Sequence, residues 1–565
     1  MQNKDQHKKQ SLIELFLLIA ILVFVNIIAS KIYWRFDLTK EKKYTLSDAT
    51  KNYLNQLDDI VYVKVYLEGE GFPAGFKKLR NSVEEMLNEF KSLAGNKIEY
   101  EFIDPFANTN PRQSKEIYDQ LLKKGLRPTN LKVKEDDNYS ERKVFPGVII
   151  SYRGLEKAVS ILQNQISLSP QEILNNSESL LEYTLINTIK QLSQIAKPKI
   201  GFIQGHGELD HYSTLDIKHT LRENYRVDSI FLPNELAISK NYDGIIIAKP
   251  THAFNEREKF KIDQYIMNGG KVLWLIDNVH AEMQMMTKEK AFMANDAQLN
   301  LEDMLFQYGV RINADLIQDL QAAPIPLVVG AQAQTKLLPW YYFPVIFSTN
   351  KHPIVNNLDA IMCTFVNSID TVGAKGIKKT ILLHSSQYSK ALMAPVRVNL
   401  QILANKPDPQ RYKQANLPVA VLLEGNFTSI FKNRLSTMTK KMIDSLDEVS
   451  YKSHGDSTSM IIISDGDVIR NDFDRSGLPY PLGFYKYTQQ TFDNKNLILN
   501  AIEFLCDKSN LIETRSREVK LRLLDKQRIK DEKKDWQIIN LVLPLVLIAL
   551  FGFIFNYIRK RKYAY

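Results

Sequence analysis

The chain has 565 residues, and its 44% hydrophobic content excludes a largely disordered protein and allows several globular domains. Its 74 basic and 64 acidic side chains give a net charge of +10, but no nucleic-acid recognition motif accompanies the charge, so we favour membrane lipid over nucleic acid as its partner. Two cysteines, Cys363 and Cys506, are too few for a four-cysteine zinc site, and we interpret both as small buried hydrophobic residues.

Two apolar segments lie near the ends of the chain. Residues 12–29 are interrupted only by Glu14 and Asn26, and their length favours a retained membrane anchor over a cleaved signal peptide. Residues 538–558 form a second candidate span, in which Pro544 is tolerable because neighbouring groups in a membrane helix satisfy the freed carbonyl. We therefore predict two transmembrane helices that place both termini in one compartment. Basic residues flank both sides of each span, so charge alone does not decide the orientation.

The region after the first span has the pattern of an α/β domain. Ser47 is placed to cap a short helix, and an alternating strand, an amphipathic helix and a second strand follow over 60–103. This β-α-β unit has a thioredoxin-like size but lacks the C-x-x-C motif of redox chemistry. A hairpin over 144–162 and a helix over 177–195 precede the break at Pro198.

A second α/β domain begins with the apolar run that ends at Gln204. Buried strands are separated by helices, which is typical of a parallel sheet covered on both faces, and flavodoxin-like is the class we predict. Helices are predicted over 256–267 and 494–506, and Ser213 is a candidate cap for the helix after the first strand. The segment 321–453 is strand-rich and is predicted to be a β-rich insertion.

The predicted organisation has five parts. They are an N-terminal tail and transmembrane helix (1–36), a first, thioredoxin-like α/β domain (37–196), a second, flavodoxin-like α/β domain (197–507), a charged membrane-proximal linker (508–537), and a transmembrane helix with a basic tail (538–565).

A glycine-hinged loop, residues 205–210, is the best candidate for a working site. It contains Gly205, His206, Gly207, Glu208 and Asp210, and it follows the first strand of the second domain. In open α/β sheets, ligands and partners bind at the carboxyl ends of strands. The two glycines permit backbone angles that a Cβ disfavours, so one interpretation is a rigid docking surface in which His206 and Glu208 bond to neighbouring backbone.

Two chemical alternatives exist for this loop. Gly205-x-Gly207 imitates the start of a dinucleotide fingerprint, but Asp210 stands where the third glycine belongs. His206, Glu208, Asp210 and His211 together have metal-ligand chemistry, but their order is not that of a zinc protease helix. We therefore predict no cofactor and no metal at this loop.

Asp465 and Asp467 follow another buried strand in the sequence Ser464-Asp465-Gly466-Asp467 and are candidates to face the loop across a crevice. With His206 they have the groups that acid–base chemistry needs, although turn chemistry explains Asp-Gly equally well. The sequence contains no G-x-x-x-x-G-K-[ST] and no G-x-S-x-G motif, so any energy source belongs to another subunit and no catalytic residue is assigned.

Several segments together resemble a known family. Arg35 to Thr39, Tyr44 to Ser47, the Gly205 to Glu208 loop, Ser464 to Asp467 and the C-terminal span, taken in order, resemble GldG, the gliding-motility ABC-transporter auxiliary proteins of Bacteroidota. The domain around Gly205 also resembles a module that this family shares with an intraflagellar-transport protein. The resemblance implies no catalytic residues.

The resemblance implies a subunit of the inner membrane with both termini in the cytoplasm and its main body in the periplasm. Its partners would be an ABC permease subunit and a separate ATPase subunit, and its role would lie in gliding and envelope export. The expectation is thus a non-enzymatic auxiliary subunit that binds partners or a cargo that these residues do not identify. The alternatives are a membrane-tethered α/β enzyme with a His/Glu/Asp site and a purely structural protein of the motility machinery.

Overall fold

A computed structural model describes residues 13, 15–26, 45–69, 71–107, 109–135, 138–163, 165, 167–194, 196–286, 290–329, 334–435, 451–516 and 526–563. The body, within residues 1–517, and the C-terminal unit, within residues 518–565, are described separately. The ends of the predicted first span (12, 14 and 27–29) and the segment Arg35 to Thr39 lie outside the described residues.

The N-terminal part of the body contains six helices and six strands among the described residues. They are α1 (Leu15–Asn26), α2 (Asp48–Asn55), β1 (Val61–Val65), α3 (Ala74–Ala94), β2 (Ile98–Phe102), α4 (Pro111–Lys123), β3 (Thr129–Glu135), β4 (Asn138–Val144), β5 (Gly147–Tyr152), β6 (Leu155–Ser160), α5 (Pro170–Ser179) and α6 (Leu181–Ser193).

The rest of the body is strand-rich. Its first elements are β7 (Lys199–Gln204), α7 (Leu215–Arg222), β8 (Arg226–Phe231), β9 (Gly244–Ala248), α8 (Glu256–Met267), β10 (Val272–Leu275), β11 (Val279–His280), β12 (Ala291–Asp296), α9 (Glu302–Tyr308), β13 (Val310–Ile312), β14 (Asp315–Asp319), β15 (Ala322–Val329) and β16 (Gln334–Ile346). They are followed by β17 (Ile361–Met362), β18 (Ile369–Thr371), β19 (Ile377–His384), β20 (Ser389–Met393), β21 (Val396–Asn399), β22 (Pro418–Thr428), β23 (His454–Ile463), β24 (Phe484–Tyr485), β25 (Gln490–Thr491) and α10 (Asn494–Cys506). The C-terminal unit contributes α11 (Lys526–Tyr563).

The N-terminal sheet has the strand order β2-β1-β5-β6. β1 pairs parallel with β2 and antiparallel with β5, which confirms the predicted β-α-β unit followed by a hairpin. The side chain of Ser47 accepts a hydrogen bond from the Thr50 amide and caps α2, as its position predicts. Helix α3 turns one apolar stripe onto the sheet, and each buried side chain stabilises the fold by about 1.5–3 kcal/mol. The stripe consists of Phe76, Leu79, Val83, Leu87 and Phe90.

A seven-stranded sheet forms the centre of the body, with the order β19-β22-β23-β10-β9-β7-β8. β8, β7, β9, β10 and β23 run parallel, and β22 and β19 are antiparallel additions at one side. Alternate residues of each strand face opposite sides, so Ile246 packs with α7 and α10 whereas Ile247 packs with α8 and α9. Helices therefore cover both faces, as the continuous apolar strands predict.

The structure corrects four expectations from the sequence. β19 and β22, which fall in the predicted β-rich insertion at 321–453, are strands of the central sheet. The helix predicted over 177–195 is two helices, α5 and α6, and α7 begins after Thr214 without a side-chain cap from Ser213. Residues 511–516 of the predicted linker form a 3-10 helix, and Leu511 is buried in the core beneath the N-terminal sheet.

One helix among the described residues is long and apolar enough to cross a membrane. It spans Glu532–Arg561 within α11 and includes the second predicted span. The apolar helix α1 is shorter. The structure thus supports one membrane-spanning helix by length and composition, and the two-pass topology stays a prediction.

Candidate functional site

The carboxyl ends of the parallel strands meet at one edge of the central sheet. Numbered along the chain, the five parallel strands have the order 2-1-3-4-5, so the order reverses between β7 and its neighbours β8 and β9. Binding crevices in open α/β sheets form at such a reversal. The loop at residues 205–210 follows β7, and Asp465 and Asp467 follow β23, so both predicted site segments lie at this edge.

The loop after β7 is bonded to the loop after β9. The carbonyl of His206 accepts hydrogen bonds from the amides of Thr251 (2.8 Å) and His252 (2.9 Å). Gly207 has φ +72°, and a Cβ there would lie 2.0 Å from Thr251 Oγ1. Glycine is required at this position both by the backbone conformation and by the closeness of the second loop.

The imidazole of His206 is held between two carboxylates. Nδ1 lies 3.3 Å from Glu208 Oε1 on one side, and Nε2 lies 3.0 Å from Glu258 Oε2 on the other. The second contact is a close ion pair that departs from hydrogen-bond geometry. The ring also stacks on Phe254, with 3.7 Å between centroids. Burial opposes protonation, but Glu208 and Glu258 outweigh it and raise the pKa of His206.

Only some residues of the loop at 205–210 are exposed to solvent. His206 and Glu208 are buried, and the amide of His206 donates to Glu208 Oε2 (2.7 Å). Gly205, Gly207 and Asp210 are exposed, and Asp210 accepts a hydrogen bond from the Ser213 amide. A partner or ligand that reached this loop would therefore meet Gly205, Gly207 and Asp210.

A buried lysine organises the other half of the sheet edge. Lys249 follows β9 with φ +53°, and its Nζ lies 2.6 Å from Asp467 Oδ2, 3.1 Å from Glu282 Oε1 and 3.3 Å from Asp277 Oδ2. Arg470 Nη1 lies 3.2 Å from the other oxygen of Asp467. The ammonium of Lys249 thus occupies the centre of a carboxylate cluster.

These contacts set the protonation of the cluster. Burial opposes the charge of Lys249, but the surrounding carboxylates raise its pKa. Burial also opposes ionisation of Asp467, yet Lys249 and Arg470 lower its pKa. Burial raises the pKa of Asp277 to about 6. Burial, with Asp277 and Asp467 nearby, raises the pKa of Asp465 well above its ordinary value.

The predicted site residues form two separate groups. His206 pairs with Glu208 and Glu258, whereas the carboxyl of Asp465 accepts the amides of Thr364 (2.7 Å) and Asp467 (2.8 Å). No hydrogen bond or ion pair among the described residues joins His206 to either aspartate. The arrangement of histidine and aspartate that acid–base chemistry needs is therefore not assembled in this part of the chain.

Sequence reasoning missed Lys249, Asp277 and Arg470. The available signal was a charged residue directly after a buried apolar run, as in Ile247-Ala248-Lys249 and Leu275-Ile276-Asp277. Among the residues that the structure describes, no group of three or more His, Cys, Asp or Glu side chains has an arrangement suited to a metal ion.

A pocket of about 540 Å³ opens beside the Lys249 cluster. Thr364, Asp467 and Arg470 contribute polar groups to its wall. The rest of its lining combines aliphatic residues and the paired charges Glu282, Asp472 and Lys486 with six aromatic residues, Phe343, Phe365, Phe473, Phe484, Tyr485 and Tyr487. Mostly apolar pockets with a few fixed polar groups are typical ligand sites. Because the charges of the cluster are already paired, this pocket suits a largely uncharged, partly apolar group.

Comparisons with known proteins extend over the whole chain. A domain of unknown function, DUF7088, matches residues 40–151. An uncharacterized protein of Borreliella burgdorferi is 22% identical over 580 aligned residues, with all of both chains covered. Among solved structures, the N-terminal domain of mmIFT52 is similar at 12% identity and a TM-score of 0.30, over 55% of this chain and 97% of that domain.

A family model described as an ABC-type uncharacterized transport system matches residues 197–501. The matched region is more than half of the chain, and it holds both groups of the sheet edge and all seven strands of the central sheet. The chain therefore belongs to this family of ABC-type transport auxiliary proteins.

Proposed function

We propose that the chain is a non-enzymatic, membrane-anchored auxiliary subunit of an ABC transporter that works with a permease subunit and a separate ATPase subunit. The observation that carries this proposal is the family match over residues 197–501, because it covers the sheet edge where a doubly wound domain binds. The exposed residues of the loop at 205–210 and the pocket beside Asp467 are the proposed contact sites for a partner or cargo.

The chemistry of the sheet edge favours binding over catalysis. Asp467 and Lys249 are neutralised by each other, and His206 is held by two carboxylates. Burial raises the pKa of the Cys506 thiol to about 12 and that of the Cys363 thiol well above its ordinary value, so neither supplies a thiolate. An enzyme would need an acid, a base or a nucleophile held at an open site.

We also propose the fold classes of the two domains, the cellular role and the membrane topology. The strand order 2-1-3-4-5 supports a flavodoxin-like second domain over 197–507, and the β-α-β unit supports a thioredoxin-like first domain over 37–196. The likeness to GldG supports a role in gliding motility and envelope export. It also supports an inner-membrane protein with two spans, both termini in the cytoplasm and the body in the periplasm.

Single-cysteine labelling tests the topology. Both native cysteines are buried, so a membrane-impermeant maleimide applied to intact spheroplasts should give little background. We expect Lys413→Cys, on an exposed site of the body, to be labelled, and Lys4→Cys and Lys560→Cys to require membrane permeabilisation. Labelling of either tail in intact spheroplasts contradicts the two-pass arrangement.

Copurification tests the partners. The full-length chain, extracted in mild detergent at native expression, should recover a permease and an ATPase. Tyr212 is 65% exposed beside the loop at 205–210, and we expect Tyr212→Arg to reduce this recovery. The matched control is Tyr388→Arg, since Tyr388 is 55% exposed but lies between β19 and β20. Recovery of the chain alone, or equal recovery with both variants, contradicts docking through this loop.

A further inference from the structure

A second and larger cleft, of about 900 Å³, lies between the N-terminal part of the body and the end of the central domain. It shares no lining residue with the pocket beside Asp467. Helix α6 lines one side and helix α10 the other, and the 3-10 helix Leu511–Ser516 contributes Arg515. Ligand sites occur preferentially at such boundaries between folded parts.

The floor of the cleft is polar and fixed in place. Tyr183 of α6 donates a hydrogen bond from its hydroxyl to Glu503 of α10, and Asn187 Nδ2 donates to the Tyr183 hydroxyl at 3.0 Å. Asn500 Nδ2 donates to the Ile354 carbonyl at 2.9 Å. These side chains are therefore held before any ligand enters.

Arg515 is the unsatisfied group of this floor. The residue is 8% exposed, its Cζ lies 4.8 Å from the centroid of the Tyr183 ring, and its Nε has no hydrogen-bond partner. Its backbone carbonyl accepts a hydrogen bond from Asn356 Nδ2 (2.6 Å), which fixes the segment. Among the described residues, no carboxylate lies within ion-pair distance of Arg515. The Tyr183 ring stabilises the cation in part but does not neutralise it.

Most of the other described charges that line the cleft are paired; the exception is Lys197, an exposed residue whose Nζ donates to the Arg222 carbonyl (2.9 Å). Lys190 lies 2.6 Å from Asp507, and Lys157 lies 3.0 Å from Glu223. Lys508 lies 2.9 Å from Asp243 on the rim. Burial raises the pKa of Glu503, which weakens it as a counter-ion for the arginine. A buried guanidinium group without a counter-ion is costly, so an incoming anion would complete this site.

We propose that this cleft binds a small oxyanion, a carboxylate or phosphate group, through the guanidinium of Arg515. The planar N–H groups of arginine match two oxygens of either anion. Side-chain amides that line the cleft, including those of Gln191 and Asn496, supply neutral hydrogen-bond partners for the rest of the ligand. The site goes beyond the proposed transporter role and does not depend on it, because binding is measurable on the isolated chain.

Calorimetric titration of the full-length chain in non-ionic detergent tests the site. Inorganic phosphate and succinate are titrated separately into the protein in a chloride buffer, so that binding of a phosphate group is distinguished from binding of a carboxylate. We expect saturable binding of at least one of them, and Arg515→Gln should weaken it by about tenfold or more, the loss typical of a charge-assisted hydrogen bond. The control Lys508→Gln removes a positive charge from the same cleft, but from an 83% exposed side chain, and should change the affinity by less than about twofold.

A second variant keeps the test decisive if Arg515→Gln does not fold. Asn187→Asp preserves side-chain shape and leaves Arg515 in place, but puts a carboxylate on the floor beside Tyr183. It should weaken binding of the same anion by about tenfold or more, because the anion then meets a like charge. Absence of saturable binding of both anions at millimolar concentration, or unchanged binding in a folded Arg515→Gln or Asn187→Asp variant, overturns the proposal.

Discussion

Replacing Lys249 by methionine removes the cation at the centre of the sheet-edge cluster while it retains most of the side-chain volume. Three carboxylates lose their shared partner, at 2.6, 3.1 and 3.3 Å from Nζ. Removal of one member of a buried ion pair generally costs about 3–5 kcal/mol, because it leaves a buried charge uncompensated. We expect the loss in the free energy of unfolding to lie at the lower end of this range.

Two features of the cluster reduce the cost. Asp467 keeps Arg470 at 3.2 Å. Asp277 has a pKa of about 6, so it can take up a proton at pH 7 for about 1.4 kcal/mol, the equivalent of one pKa unit. We therefore expect Lys249→Met to lower the free energy of unfolding by about 3 kcal/mol at pH 7.

The sign of the pH dependence distinguishes charge from packing. The pKa of Asp277 is raised above the unfolded value of about 3.9, so the folded state binds more protons between these values and loses stability as pH rises through them. Without Lys249 the pKa of Asp277 rises further, and the variant keeps losing stability above pH 6, where the parent has levelled off. The deficit should therefore be smaller at pH 5 than at pH 7.5.

Lys218→Met is the matched control. Lys218 is 3% exposed and packs over the Phe202 ring at 4.4 Å, but it has no ion pair among the described residues, and burial lowers its pKa to about 8. We expect this change to be neutral or stabilising, because it removes a desolvated charge. Urea unfolding, followed by the fluorescence of the buried Trp274 of β10, measures both variants at the two pH values. Equal losses in the two variants, or a Lys249→Met deficit that does not change with pH, refute the reasoning.

Four further substitutions test the rest of the sheet edge by the same unfolding assay. Because the pKa of His206 is raised, its imidazolium stabilises the fold fully below about pH 6.5, and this contribution is lost as pH rises through the folded pKa. His206→Gln should therefore cost about 1.5–3 kcal/mol at pH 6 and less at pH 9. An equal loss at both pH values contradicts a charged His206 between the two carboxylates. Gly207→Ala should cost more than about 1 kcal/mol because of its positive φ and the 2.0 Å approach, whereas Gly373→Ala, in open space, should stay within about 0.5 kcal/mol; similar losses contradict the assignment. Asp467→Asn breaks two ion pairs and should cost about 3 kcal/mol, whereas Asp465→Asn, at a carboxyl that has no ion pair among the described residues and whose pKa burial raises, should cost about 1 kcal/mol. The reverse order contradicts this account of the cluster.

Local signals were sufficient to predict several elements. Helix α8 runs over Glu256–Met267 as predicted, and the Asn255 side chain with Glu258 forms a capping box at its start. Helix α10 runs over Asn494–Cys506 as predicted. The buried strands β7, β9 and β10 were also evident, because an apolar run short enough for a strand has few other solutions in an α/β protein. Each of these signals lies within a few residues of the element that it defines.

Long-range pairing was beyond the sequence signals. The strand periodicity of β22 does not say whether it pairs with β23, which it does, or within a separate insertion. Nothing in the sequence around Leu511 indicates that this residue packs in the N-terminal core. Asp467 was a candidate from its position, but its partner Lys249 is 218 positions away, and the pairing changes the role of both residues. Burial and pairing decide whether a carboxylate is free to act, and neither is a local property.

The two candidate binding sites differ in what they leave unpaired, and this difference determines the chemistry that each selects. At the sheet edge, Lys249 and Arg470 already balance the carboxylates, so an added charge would have to displace an internal partner at high cost. The aromatic pocket beside them therefore gains more from burying an apolar surface. In the cleft between α6 and α10, no carboxylate of the described residues lies within ion-pair distance of Arg515, and there an anion gains the most. A molecule with both an apolar and an acidic group would thus bind the pocket through its apolar end and the cleft through its acidic end. Single substitutions in either site would therefore affect binding at that site alone.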